Sequence, residues 1–195
     1  SNLARGIASR LLEAASWRGK VEADVAVFEV DEAAVRTLAP RLQPQVLVVT
    51  NMARDQLDRF GELATTAAHA AAAARAAAVA VLNADDPLVA EMASGAAAVR
   101  FFGAVPAIRR AMPHDSSLYG AAGNAEAPAA LDIRLETADP EGDGQVITLA
   151  AASGERATVH LQVPGPYNGY NAAAAALAAA ECGVPLGRAA AAREA

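Results

Sequence analysis

Residues 45–62 read QVLVVTNMARDQLDRFGE. An unbroken apolar run passes into a junction rich in Asp, Arg, Asn and Gln, and then into the alanine-rich stretch 63–77. A short continuous run of Val and Leu suits a strand buried on both faces, and a parallel strand is followed by a helical crossover. The stretch predicts a strand over 45–51, a helix over 61–77, and a polar turn between them at the strand's carboxyl end. That turn is either a solvated connection or the mouth of a site.

The same pattern repeats on both sides. Upstream, NLARGIASRLLEAA has Leu3, Ile7, Leu11 and Leu12 at helical spacing, which predicts a helix over 3–15. DVAVFEV (24–30) predicts a further buried strand, and DEAAVRTLA after it a helix with acids in its first turn, stopped by Pro40. Downstream, AVAVLN (78–83) predicts a strand, and DDPLVAEMAS a helix opening on an acidic cap and a first-turn proline. AAVRFFG (97–103) completes the series. Strands alternating with helices predict an α/β fold, a mainly parallel sheet flanked by helices. After residue 103 the pattern changes. Residues 104–130 are rich in Pro, Gly, Ser and Asn and predict an irregular insertion; LDIRLET, GQVITLAA and ERATVHLQV predict a small antiparallel subsheet near 131–163. A helix from about Asn168 to Cys182 and a short one near Leu186 close the chain.

Composition narrows the function. The formal charge of −6 leaves no basic stripe, and 4% aromatic residues leave little for base stacking, so nucleic acid is not an expected partner. Hydrophobic residues reach 54%, but many are alanines that each contribute little buried area. No apolar run has the strength of a transmembrane segment. Cys182 is the single cysteine, so neither a disulfide framework nor a CxxC knuckle can form. His69, His114 and His160 have no metal-ligand spacing and predict structural or surface roles.

In open α/β sheets, ligands collect beyond the carboxyl ends of the strands. Three polar points lie there: Glu29 with Asp31 and Glu32; Asn51 with Asp55, Gln56 and Asp58; and Asn83 with Asp85 and Asp86. Oxygen ligands in such a crevice suit Mg²⁺ shared with phosphates, while acids at helix starts also serve simply as caps. No GxxxxGK[ST] loop occurs, so this chain is expected to bind ATP weakly on its own.

The ordered set NLARGIASRLL, VFEVDEA, LVVTNMARDQLDRFGE, VLNADDPLV and PGPYNGYNAAAAALAAAECGVP resembles the P-loop-like central domain of Mur ligases. The likeness is strongest to the amidating, MurT-type branch and runs from about residue 2 to residue 187. The resemblance implies that residues 1–195 form one Mur ligase central, ATP-binding domain, incomplete at its N-terminus and lacking the family's C-terminal domain. It implies ATP and Mg²⁺ as cofactors, a GatD-like glutaminase subunit as partner and lipid II as substrate. The implied reaction phosphorylates the D-glutamate α-carboxyl and then amidates it with glutamine-derived ammonia, in the cytoplasm at the inner face of the membrane. By motif position, Glu29 resembles the Mg²⁺-binding glutamate and Gln56 stands where the family's metal-proximal histidine stands; both are implied as catalytic and metal residues. Asn2 matches an asparagine near the nucleotide phosphates, and Asn168 and Asn171 match the adenine-contacting pair. Asn168 is also a candidate N-cap of its helix. Many MurT-type chains carry a four-cysteine zinc ribbon after the fourth strand. Residues 104–130 hold no cysteine, so zinc is not expected. An amino-acid-adding Mur ligase is the nearest alternative, against which Gln56 speaks, and a non-catalytic truncated Mur-like module is another.

Overall fold

The computed structural model describes residues 3–21, 23–52, 60–111 and 130–192. One six-stranded sheet runs in the order β1 (Val46–Val49), β2 (Val79–Asn83), β3 (Val99–Ala104), β4 (Ile133–Glu141), β5 (Gly144–Ala151), β6 (Arg156–Leu161). The first three pairings are parallel and the last two antiparallel, so the predicted subsheet continues the parallel sheet through the β3–β4 pair. β4 is longer than expected and carries Pro140 inside its ladder to β5. β3 pairs with β4 only from Ile133 to Leu135, so Pro140 needs no donor on that side.

Both faces of β2 are covered, as its continuous apolar run requires. Ala80 and Leu82 of β2 pack with Ala70 and Ala74 of α3 (Phe60–Ala76), and with Val89 and Met92 from α4 (Pro87–Ala90) and the 3₁₀ turn after it. Val81 points the other way, into a cluster of Phe102, Ile133, Leu135, Ile147 and Leu149 against α6 (Pro166–Glu181). α6 approaches closely because its inner face is mostly small, with Gly169, Ala173, Ala174 and Ala176 beside Tyr170 and Leu177. A Cβ at Gly169 would lie 2.8 Å from Leu135 Cδ2, so any other residue there would force Leu135 or the helix to shift. α1 (Leu3–Ala14) packs on α2 (Glu32–Leu42), which packs on α3; α7 (Leu186–Ala190) covers β6. α5 (Pro106–Ala111) forms in the stretch expected to be irregular, and residues 112–129 lie outside the described residues.

Two expectations are corrected. Pro40 does not stop α2, which runs on to Leu42. The helix ends at Gln43, in the left-handed region at φ 46°, whose N–H bonds back to Ala39 O. More consequentially, residues 24–30 form no strand. Val25 and Val27 are exposed, the latter at 91%. The segment shares an apolar groove of about 540 Å³ with α2 and β1, lined by Val25, Phe28, Val35, Leu38, Val46 and Val48. β1 is an edge strand paired only with β2, and apolar composition without a neighbour at ladder distance makes no strand.

Candidate functional site

β1, β2 and β3 are parallel, so their carboxyl ends share one edge of the sheet. The turn after β2, Asn83-Ala84-Asp85-Asp86-Pro87, is the tie point of that edge. Asn83 Nδ2 donates to Thr50 O at 2.8 Å, and its Oδ1 accepts from Asp85 N at 2.9 Å. Asp86 caps α4, with Oδ1 accepting from Leu88 N and Val89 N, while its Oδ2 accepts from Met52 N at 2.8 Å. The strand-to-helix turn of β2 therefore holds the chain that leaves β1.

Asp85 faces the opposite flank, with its side chain only 5% exposed. Its Oδ2 accepts from Ala104 N at 2.6 Å and from the Tyr170 hydroxyl at 2.8 Å, and its Oδ1 lies 3.5 Å from Arg109 NH1. Gly103 leaves the room for this, since a Cβ there would stand 2.9 Å from Asp85 Oδ2. Burial, followed by the charge and hydrogen bond of Asp85, pushes the Tyr170 phenol above its usual range, so it stays a donor. Asp86 is a helix cap, as expected, whereas Asp85 is no cap but a buried anchor between β3, α5 and α6.

The carboxylate of Glu29 has another setting. It is exposed, lies in the unpaired 24–30 segment two residues before Asp31, and has no partner among the described residues. Asp31 is spent as the N-cap of α2, accepting from Ala34 N at 2.7 Å. Asn168 and Asn171 stand on the first turns of α6. Asn171 is exposed; Asn168 is half-buried, and its Nδ2 donates to Pro164 O at 2.7 Å. Asn168 is not the N-cap, because the helix begins at Pro166 behind Gly165. Gln145, buried at the start of β5, fixes that entry by donating to Gly165 O at 2.8 Å. Asn2 and Gln56 lie outside the described residues, as does His114. His69 lies beside Arg36 and His160 beside Glu141, each on the surface.

An exposed carboxamide can donate and accept together, as an adenine edge requires, and Asn171 fits that need. Among the described residues, no group of three or more His, Cys, Asp or Glu could hold a metal ion. Mg²⁺ beside a nucleotide commonly takes only one or two carboxylates and completes its shell with phosphates and water, which a single acid such as Glu29 can serve. Tyr170 is the residue that sequence reasoning missed. A tyrosine on a helix face otherwise built of Gly, Ala and Leu was the available signal, because a buried hydroxyl needs a partner.

The Mur ligase middle domain profile matches residues 9–179. The chain is 40% identical over 90 residues to subunit MurT of the glutamine-hydrolysing lipid II isoglutaminyl synthase of Streptococcus pneumoniae, covering 45% of this chain and 20% of that one. It is 35% identical over 173 residues to UDP-N-acetylmuramate–L-alanine ligase of Mycobacteroides abscessus, covering 84% of this chain and 31% of the relative. The crystal structure of MurF from Acinetobacter baumannii superposes with a TM-score of 0.61 at 19% identity, over 83% of this chain and 32% of the other. The chain thus spans between a fifth and a third of the length of these relatives. With the family profile running through nearly all of the sheet and its helices, the chain belongs to the Mur ligase family and corresponds to its middle domain.

Proposed function

We propose that this chain is the nucleotide-binding middle part of an ATP-dependent amide-forming ligase of peptidoglycan synthesis, working on the D-glutamate α-carboxyl of lipid II at the inner face of the membrane. In this reading a carboxylate oxygen attacks the γ-phosphorus of ATP and the bond to ADP breaks. Ammonia released from glutamine by a GatD-like partner then attacks the acyl carbon, and phosphate leaves. Positioning and charge neutralisation do most of the work in such transfers. Glu29 and Gln56 would hold Mg²⁺, which offsets phosphate charge; Asn2 would lie near the phosphates, and Asn168 and Asn171 would meet the adenine. The reading is carried by the likeness to MurT, which joins the RDQLDRFGE wording and its Gln56. Among the described residues, no helix is long and apolar enough to cross a membrane.

A second reading, addition of an amino acid to a UDP-linked precursor, is supported by the wider coverage of the match to the L-alanine ligase. The two separate by their amine. The complete ligase, incubated with lipid II, ATP, glutamine and the glutaminase, is expected to yield a carboxamide; consumption of L-alanine on a UDP-linked acceptor instead favours the second reading.

A further inference from the structure

Asn168 and Asn171 flank Tyr170 on the opening turns of α6, and that helix is otherwise held to the sheet by Gly, Ala and Leu contacts and, at its far end, by Arg100 of β3, whose Nε donates to Glu181 Oε1 at 2.7 Å. Apolar packing is non-directional and by itself constrains the rotation and slide of a smooth, alanine-lined helix only weakly. At the end of the helix that carries the two asparagines, the directional contact to the sheet is the Tyr170 hydroxyl on Asp85 Oδ2, at 2.8 Å. The same oxygen takes the Ala104 N–H at the end of β3, and the other carboxylate oxygen faces Arg109 of α5. One buried carboxylate thus joins the turn after β2, the end of β3, α5 and α6. Burying a charge is costly unless it is hydrogen-bonded, so a carboxylate at this junction suits a positional purpose better than simple adhesion.

We propose that Asp85 and Tyr170 are positioning residues that set the rotation of α6, and thereby the placement of the Asn168 and Asn171 carboxamides against the nucleotide base. The inference rests on the adenine reading given under Proposed function. At about 100° per residue, Asn171 and Asn168 project roughly 100° and 160° around the helix from Tyr170, away from the sheet. At a side-chain radius of about 6 Å, a rotation of about 10° moves a carboxamide by about 1 Å, which is enough to spoil a paired hydrogen bond. The weaker contact of Arg109, on a partly exposed side chain, holds the second oxygen and keeps the carboxylate from turning.

The test compares Tyr170→Phe with Asn171→Ala in the complete ligase with its glutaminase, measuring KM and kcat with ATP and with GTP. Tyr170→Phe is expected to raise KM for ATP about 5- to 30-fold, to leave kcat at saturation within about twofold, and to lower the ATP-over-GTP preference. A loss of general stability would weaken both nucleotides alike and leave that preference standing. If Asn171→Ala lowers the preference and Tyr170→Phe does not, the positioning role is overturned while the adenine reading survives. An unchanged preference in Asn171→Ala removes the adenine reading, and this inference with it. Should Tyr170→Phe unfold at the assay temperature, Arg109→Gln carries the same comparison with a smaller shift; no shift there contradicts the proposal.

Discussion

Residues 24–32 and 79–89 look alike as sequence: a Val- and Ala-rich run, a carboxylate or carboxamide at its end, then acids that open a helix. They end in opposite states. The second run is β2, paired on both sides, with neighbouring residues buried on alternate faces; its acids are bound to backbone N–H groups and a tyrosine. The first run has no ladder, exposes Val25 and Val27, and presents Glu29 to solvent. An acid already saturated by its own fold has little left for a ligand. Of the two turns, the loosely built one has its carboxylate available.

The largest effect expected from breaking this contrast is on activity. Glu29→Ala in the complete ligase should lower the proposed amidation at least about a hundredfold while leaving the thermal melting curve of this domain unchanged; a normal rate of product formation removes Glu29 from the proposed metal site. Stability should divide the other way. Leu135→Ala, fully buried under Gly169, should cost about 2–5 kcal/mol in urea unfolding, against under about 0.5 kcal/mol for Val27→Ala. Equal costs would mean that the 24–30 segment is packed as tightly as the core.

Asp86→Ala removes the cap of α4 and strands the Met52 N–H, for an expected loss of about 1–3 kcal/mol in the same measurement. A neutral result would free that carboxylate for a ligand role. The smallest effect is a pH dependence on β4. Hydrogen bonds from Arg156, and then from Arg134, hold the Glu136 carboxyl down to about 2 from an ordinary 4.5. Because the folded value is depressed, the stabilisation is present above 4.5 and is lost as pH falls towards 2. Glu136→Gln should flatten that part of the acid stability profile, and an unchanged profile would contradict the pairing.

The alternation of strands and helices was legible because each apolar run is bounded by local signals: the Asp86 cap with Pro87, the Gly142–Asp143 turn between β4 and β5, and the Gly165–Pro166 entry to α6. What could not be read was pairing. The run 24–30 carries the same strand propensity as β2, and only the absence of a neighbour separates them. Pro40 likewise signalled a stop that the surrounding bonds overrode, and β4 runs on through Pro140. At the site, Asn168 and Asn171 were found through family wording, whereas the Asp85–Tyr170 bond joins residues 85 positions apart and left only an unexplained tyrosine as its trace. Asn2 and Gln56 lie outside the described residues, and the roles of Glu29, Asn168 and Asn171 stand, like theirs, as proposals.

The central claim is that this fold serves glutamine-dependent amidation, and it is tested most directly by supplying amide-nitrogen-labelled glutamine. The complete ligase, its glutaminase, ATP and lipid II would be combined and the stem peptide read by mass spectrometry. The account predicts label in the carboxamide on the D-glutamate α-carbon. An unlabelled, unamidated peptide from an active preparation that instead joins an amino acid to a UDP-linked precursor would contradict it.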